Sequence, residues 1–421
     1  METLTVAAPW TRTQKVLFRF SFCYVLLYVF LDGMLSVIFH ALPFSAPWDS
    51  FIYWIGDAVL NIGYEMPEKP NGSGDTTYNY VQLLAILFVA VMATTVWSAV
   101  DRERTNYARL AEGLRIFVAV YVGLIMLMYG LAKVFKTQFP YPGEARLAQT
   151  YGDSSPMGLL WTFMGYSYPY NFFAGMGEVV GGILLMFRRT TLLGALVVIG
   201  VMSNVVVLNF SYDVPVKIYS SHLLLFAFLV AAPNVSRLYK FFITNEPVEV
   251  EKIQPFSIDT NLSMGLTMLR GVALLTVFAV TVGGVINVSK RTAAAKFETD
   301  AVLEGLYETI EFNASSDAYP LRWTRLKVMK HGSAVVSTAD GSDEEVSFNP
   351  DTTNKTIAVY AFADSLMSST LMYEELNDST LFISGLYKQD SIEVKLRAQA
   401  QKNSLLMERG FHWINEQPFH R

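Results

Sequence analysis

The stretch Asn171–Ala231 reads NFFAGMGEVVGGILLMFRRTTLLGALVVIGVMSNVVVLNFSYDVPVKIYSSHLLLFAFLVA. It is three long apolar runs, broken only at RRTT (Arg188–Thr191) and at SYDVPVK (Ser211–Lys217). A helix needs about 20 mostly apolar residues to cross a bilayer. Only helices and closed barrels satisfy the backbone in lipid, and runs this continuous are too long for barrel strands. Read outward from here, the same criterion predicts seven spans, at 16–40, 80–100, 113–135, 170–187, 190–210, 216–235 and 264–288. The expected fold class is a mainly α membrane protein, a polytopic helical bundle of about seven spans.

Composition agrees. Of 421 residues, 52% are hydrophobic and 16% charged, against roughly 25% charged in a soluble domain. The charge is uneven. Residues 290–421 hold 19 acids and 14 bases in 132 positions, while the preceding 289 residues hold 36 charges. A membrane part is followed by a soluble-like part. This excludes an ordinary cytosolic enzyme, a disordered chain and a collagen-like fibre. A net charge of −5 gives no basic footprint for nucleic acid. The single cysteine, Cys23, excludes an intramolecular disulfide and a CxxC pair, and five histidines without HExxH or HxH spacing give no metal site.

Basic residues set the direction. Arg12, Lys15 and Arg19 precede the first span, Arg102, Arg104, Arg109 and Arg115 separate the second and third, Arg188 and Arg189 the fourth and fifth, and Arg237 and Lys240 follow the sixth. All fall on one side if the N-terminus is cytoplasmic. Seven spans then carry the tail outside, and the expected location is a bacterial inner membrane with a periplasmic C-terminal domain. The run Val16–Leu42 is too long for a cleaved signal peptide. Asp49–Met66, apolar on one face, is expected to be an interfacial helix.

In the tail, 294–319 has Val302, Leu303, Leu306 and Ile310 at helical spacing and is expected to be a stalk helix. From Pro320 to Ala398 short alternating runs with turn signals predict about six strands, a small all-β extracytoplasmic sandwich or barrel. The chain closes at 399–421 with QKNSLLMERGFHWINEQPFHR, an aromatic tail expected to dock. Its Arg409, His412 and Trp413 are a candidate gate.

Ionisable groups inside spans are functional candidates by default. Here they are Asp32, Lys133, Glu178, Asp213, Lys217 and His222, joined by Asn204 and Asn209. With the direction above, all lie in the outer half of the bilayer and form a candidate pocket if their helices face one another. Glu178 lies roughly 13 Å down its helix. It must be neutral, or paired with Lys133, Lys217 or His222. A structural ion pair and a ligand or proton site are both open readings.

The order of motifs from Leu114 to Phe242 resembles the DoxX family of membrane proteins. The residues are Arg115, GLAK at Gly130–Lys133, Pro140 and Pro142, GEVVGG at Gly177–Gly182, RRTTLLGA at Arg188–Ala195, Asp213 with Pro215 and Lys217, and APNVSRL at Ala232–Leu238, the last preceded by Ala231. The resemblance implies a four-helix membrane core at 113–242. Outside that core this chain departs from simple members of the family, with two spans and the interfacial helix before it (1–112), a cytoplasmic loop and last span after it (243–293), and then stalk, β domain and tail. Members include the small subunit of a thiosulfate:quinone oxidoreductase and partners of thiol-redox systems, and a broader relative is the membrane domain of vitamin-K-dependent carboxylase-like proteins. The ending RGFHWINEQPFHR resembles that of large envelope members in Bacteroidota.

Three functions compete. The resemblance implies a redox subunit linked to quinone or another lipid-soluble cofactor. The missing catalytic constellation suits an envelope scaffold whose β domain recruits a protein partner while the bundle sits among membrane lipids. A carboxylase-like enzyme needs a basic lysine in a dry pocket, for which Lys133 and Lys217 are the candidates.

Overall fold

The computed structural model describes residues 9–32, 45–64, 74–147, 149–248, 305–315, 322–329, 332–361, 364–377, 379–388 and 390–398, with Ser36, Met66, Gly271, Ala279, Gly283 and Leu303. The chain forms two compact units, 1–138 with 168–283, and 139–167 with 284–421.

The first unit is helical. Its helices are α1 (Arg12–Leu31), α2 (Ser45–Trp54), α3 (Thr77–Val100), α4 (Ala108–Val134), then α7 (Tyr168–Met186), α8 (Thr191–Ser211), α9 (Lys217–Ala231) and α10 (Val235–Tyr239); α5 (Glu144–Leu147) and α6 (Pro156–Tyr166) belong to the second unit. Among the described residues five helical segments are long and apolar enough to cross a membrane: Arg12–Leu31, Thr77–Val100, Ala108–Val134, Thr191–Ser211 and Lys217–Thr244. The expected fourth span is the 19-residue α7, and the expected seventh lies almost wholly outside the described residues.

The helix starts follow from local chemistry. Thr11 and Gln14 form a capping box on α1, as Thr76 and Asn79 do on α3. Helix α1 begins at Arg12 and stops at Leu31, so Arg12, Lys15 and Arg19 lie inside it rather than before it. Helix α2 runs on as a π turn at Ile55–Val59, with Ile52 and Ile55 packed against Val81 and Ala85 of α3.

Helices α4, α7, α8 and α9 close a ring of neighbours, α4 against α7, α7 against α8, α8 against α9 and α9 against α4; α1 and α3 pair beside it, with α1 touching α4. Small residues set the α4–α7 spacing. A Cβ on Gly175 would stand 2.7 Å from the Gly130 carbonyl oxygen and 2.8 Å from the Lys133 Cβ. Val25, Tyr28, Val122, Ile125, Val198 and Phe226 are buried in the shared core.

The second unit holds a closed barrel in which β1 (Gly305–Ala314), β2 (Trp323–Met329), β3 (Ser333–Thr338), β4 (Asp343–Asp351), β5 (Thr356–Ala361), β6 (Asp364–Asn377), β7 (Thr380–Tyr387) and β8 (Asp390–Ala398) each pair antiparallel with the next. Strand β8 returns to β1, with Glu308 opposite Arg397 and Phe312 opposite Val394, so no sheet edge is left open. Inward positions alternate, as Ala334, Val336 and Thr338 on β3 or Ile392, Val394 and Leu396 on β8.

Two expectations are corrected. The tail has eight strands, not about six. The stalk helix expected over 294–319 gives way to β1 at 305–314; residues 294–302 lie outside the described residues. Leu306 and Ile310 happen to sit at helical spacing, but Tyr307, Thr309 and Phe312 are strand formers. Two flanking strands supply β1 with ladder bonds, and Tyr307 and Leu303 are buried in the barrel core.

Residues 139–167 belong to the same compact unit as the barrel. Their α5 packs on β1 and β2. Arg146 of α5 donates through Nε to the Thr162 hydroxyl at 2.6 Å and also bonds Gln149. Burial, and then the Arg146 guanidinium, push the Lys327 ammonium of β2 below its usual range.

Candidate functional site

The charged centre of the bundle lies on the α4–α7 seam. Lys133, in the last turn of α4, donates from Nζ to both carboxylate oxygens of Glu178 at 2.9 and 2.8 Å. Glu178 is 3% exposed and Lys133 7%. The glycine contact at Gly130 and Gly175 brings the two backbones close enough for this reach, and the Lys133 ammonium also lies 5.7 Å from the Tyr129 ring centroid. Both carboxylate oxygens are held by one cation, so the pair is electrically closed. Its partner choice is Lys133, not Lys217 or His222.

His222 belongs to a second cluster, between α9 and α1. Its ring stacks on Tyr28 with centroids 3.8 Å apart and 9° between planes. Nδ1 lies 2.7 Å from the Ile218 carbonyl oxygen, which can only accept, so Nδ1 carries the proton. In the neutral ring Nε2 then accepts from the Tyr24 hydroxyl at 2.6 Å. On α1 Tyr24 and Tyr28 are one turn apart, so both reach α9. Asp32 caps the end of α1 and accepts from Asn79 Nδ2 at 3.4 Å.

A third group ties the N-terminal end of α9. Asp75 accepts from the backbone N–H of Lys217 at 2.7 Å and of Ile218 at 2.9 Å, capping α9 from a distant loop, and Gly74 donates to the Pro215 carbonyl at 2.8 Å. Lys217 Nζ donates to Asp213 at 2.7 Å and lies 3.8 Å from Asp75. Asn209 donates to the Ser220 hydroxyl at 3.0 Å.

The sequence-derived set therefore does not converge on one pocket among the described residues. Lys133 meets Glu178; Asp213, Lys217, Asn209 and Ser220 share the α9 end; His222 and Asp32 each take other partners. Asn204 is exposed on α8. The candidate gate of Arg409, His412 and Trp413 lies outside the described residues.

Sequence reading missed Asp75, Tyr24 and Tyr28, and treated Arg19 as a flanking charge. Arg19 is 4% exposed and is enclosed at the other end of the bundle. It donates to the Tyr107 hydroxyl at 2.9 and 2.7 Å, to Ser98 at 2.8 Å and to the Asp101 carbonyl at 2.5 Å. The Tyr107 hydroxyl, donating at 2.8 Å, holds the Asp101 carboxyl below the usual carboxylate range. The signal available was an arginine two turns into an apolar helix, flanked by Phe18 and Phe22 that pack on Trp97. Nearby, Arg115 and Arg188 converge on Glu112, at 2.7 and 3.3 Å.

An apolar groove of about 900 Å³ runs between α1 and α3, lined by Phe22, Cys23, Leu26, Phe30, Val89 and Trp97 among others.

Comparison with known proteins adds one relative. Over 134 residues, 32% of this chain and 84% of the other, the chain is 28% identical to the uncharacterized protein YwoB of Bacillus subtilis (strain 168). No protein-family profile matches the chain, and no solved structure matches it.

Proposed function

We propose that the chain is a DoxX-like protein of the bacterial inner membrane that acts as a non-catalytic, partner-binding envelope subunit. In this reading the bundle is the anchor and the barrel recruits an envelope protein. The carrying observation is the closed Lys133–Glu178 pair. The charged groups on the seam neutralise each other through both carboxylate oxygens, as a structural clamp does, which supports an anchoring role for the bundle.

Seven spans, a cytoplasmic N-terminus and an outward tail belong to the same proposal. A parity argument supports them. Residues 139–167 and the barrel are parts of one compact unit, and the proposal keeps that unit on a single side of the bilayer. Helices α7, α8 and α9 follow one another antiparallel: Gly181 and Gly194 pack near Val198 and Leu185, and Asn209 bonds Ser220 across the α8–α9 turn. Three passes leave the chain on the opposite face from residue 167. A fourth crossing restores the side, and 264–288 is the apolar stretch available for it.

A second reading, a quinone-linked redox subunit, draws on one observation. The Tyr24–His222 hydrogen bond and the Tyr28 stack place a proton-carrying ring beside aromatic surface. The carboxylase-like reading gains nothing from Lys133 and Lys217, which are both held in ion pairs.

The test combines topology with content. Cysteine placed at Ser342 should label from outside intact cells and cysteine at Thr105 should not; the reverse pattern sinks the proposed direction. Gentle extraction followed by mass spectrometry should find no stoichiometric quinone. A quinone that is lost in His222→Phe while the fold is kept would replace the scaffold reading with the second one.

A further inference from the structure

Among the described residues, several buried polar atoms of the bundle lack a hydrogen-bond partner, including the Tyr28 hydroxyl, Trp48 Nε1 and Arg188 Nε; Asn171 differs in that a donor and an acceptor on one side chain are both unmatched. Arg19, Asp49, Gln82, Thr94, Lys133, Glu178, Thr191, Asn209, Ser220, His222 and Asn234 each make at least one hydrogen bond. Asn171 is 0% exposed, and neither its Nδ2 nor its Oδ1 has a partner. Flipping the amide does not help, since both ends are unmatched. Leaving a buried donor and acceptor both unmade is costly, and natural proteins rarely do it.

The position is specific. Asn171 precedes Gly175 by one turn and Glu178 by two, so the three share the face of α7 that meets α4, with Asn171 roughly 10 Å outward of Glu178. The antiparallel pairing of Gly182 with Gly123 and of Gly175 with Gly130 sets residue 171 opposite the end of α4. There the chain unwinds through Lys136 at φ 56. Gln138, where the chain leaves α4, carries a second buried unpartnered oxygen, Oε1.

We infer that Asn171 holds a hydroxyl group from outside the chain. A hydroxyl can accept from Nδ2 while donating to Oδ1, which satisfies both ends of a primary amide at once. Two sources offer this group at the outer end of a membrane bundle: an ordered water, or a lipid-soluble alcohol such as a quinol. The assignment does not depend on the scaffold reading, because the Lys133–Glu178 pair is already complete without it.

The experiment uses the full chain in lipid nanodiscs made from its native membrane. Wild type is compared with Asn171→Leu, which keeps the shape and removes both polar atoms. It is also compared with Asn171→Thr, whose hydroxyl can return to a carbonyl of its own helix should the leucine variant not fold. Melting temperature is measured, and organic extracts are analysed by mass spectrometry. The expected result is a lower melting temperature in the variants. A hydroxyl compound present in wild type and lost in the variants assigns the lipid source. A lower melting temperature with no such compound assigns water. A dry, unsatisfied amide makes the opposite prediction, since removing it relieves a penalty. Variants that melt at or above wild type, with extract content unchanged, overturn the inference.

Discussion

Glu178→Gln is the sharpest perturbation of the bundle. In the native seam the Lys133 ammonium is 2.8 and 2.9 Å from two carboxylate oxygens. Both side chains are almost wholly out of solvent, at 9% and 3% side-chain exposure. Glutamine keeps the volume and one acceptor but leaves the lysine charge uncompensated. Breaking a buried pair from one side costs roughly 3–5 kcal/mol. Lys133→Met strands the carboxylate and should cost a similar amount. Lys133→Met with Glu178→Leu removes both charges. Replacing a buried pair by apolar groups of similar volume is often neutral or stabilising, so the double variant should lie within about 2 kcal/mol of wild type, far from the sum of the single effects. Equilibrium unfolding of these proteins in nanodiscs, with the single Glu178→Leu variant added to close the cycle, measures the coupling. If both single variants stay within about 1 kcal/mol of wild type, the range of an exposed surface pair, the seam is hydrated and the clamp reasoning is refuted. If Glu178→Gln keeps its stability but loses a bound ligand, the pair serves that ligand.

Other outcomes follow from the same geometry. Gly175→Ala should lower the melting temperature and weaken the ion pair, because the new methyl meets the Gly130 carbonyl oxygen at 2.7 Å and the Lys133 Cβ at 2.8 Å; an unchanged melt would show that α4 and α7 separate freely. Asp75→Ala removes the cap on the Lys217 and Ile218 N–H groups and should cost about 1–2 kcal/mol, with Asp75→Asn recovering most of it; equal losses in the two variants would argue against capping. The hydroxyl of Thr338, then the Ser342 N–H and hydroxyl, hold the Asp340 carboxyl at about 2, below its ordinary 3.8. A depressed carboxylate adds stability that is complete above its unfolded value and is lost as pH falls through the folded one. Protection of the β3–β4 turn against hydrogen exchange in the intact protein should therefore decline between about pH 4 and pH 2. Asp340→Ala should flatten that decline, and an identical acid profile would count against the turn's role.

Much of the architecture was legible from the chain alone because hydrophobic length and period are local properties. The apolar runs around 80–100, 113–135 and 190–210 mark helices since lipid leaves a backbone no other partner. The strand alternation of 320–398 marks a β domain since successive side chains point to opposite faces. Lys133 and Glu178 stand out because a charge within an apolar run is costly wherever the run packs. Partner choice is not local. Lys133 rather than Lys217 meets Glu178 because the Gly130–Gly175 contact sets the distance between α4 and α7, and His222 pairs with Tyr24 because α1 leans on α9. Asp75 looks like one more acid in a polar loop until the fold brings it to the first turn of α9. The stretch 305–314 carries a helical spacing and forms β1, because barrel closure supplies two neighbouring strands and no helix there could bury Tyr307 in the barrel. The sequence by itself therefore determined which segments are apolar, and hence the elements. Tertiary structure decided which charges are neutralised, which caps are borrowed across the chain, and that the Asn171 amide is buried with neither end bonded.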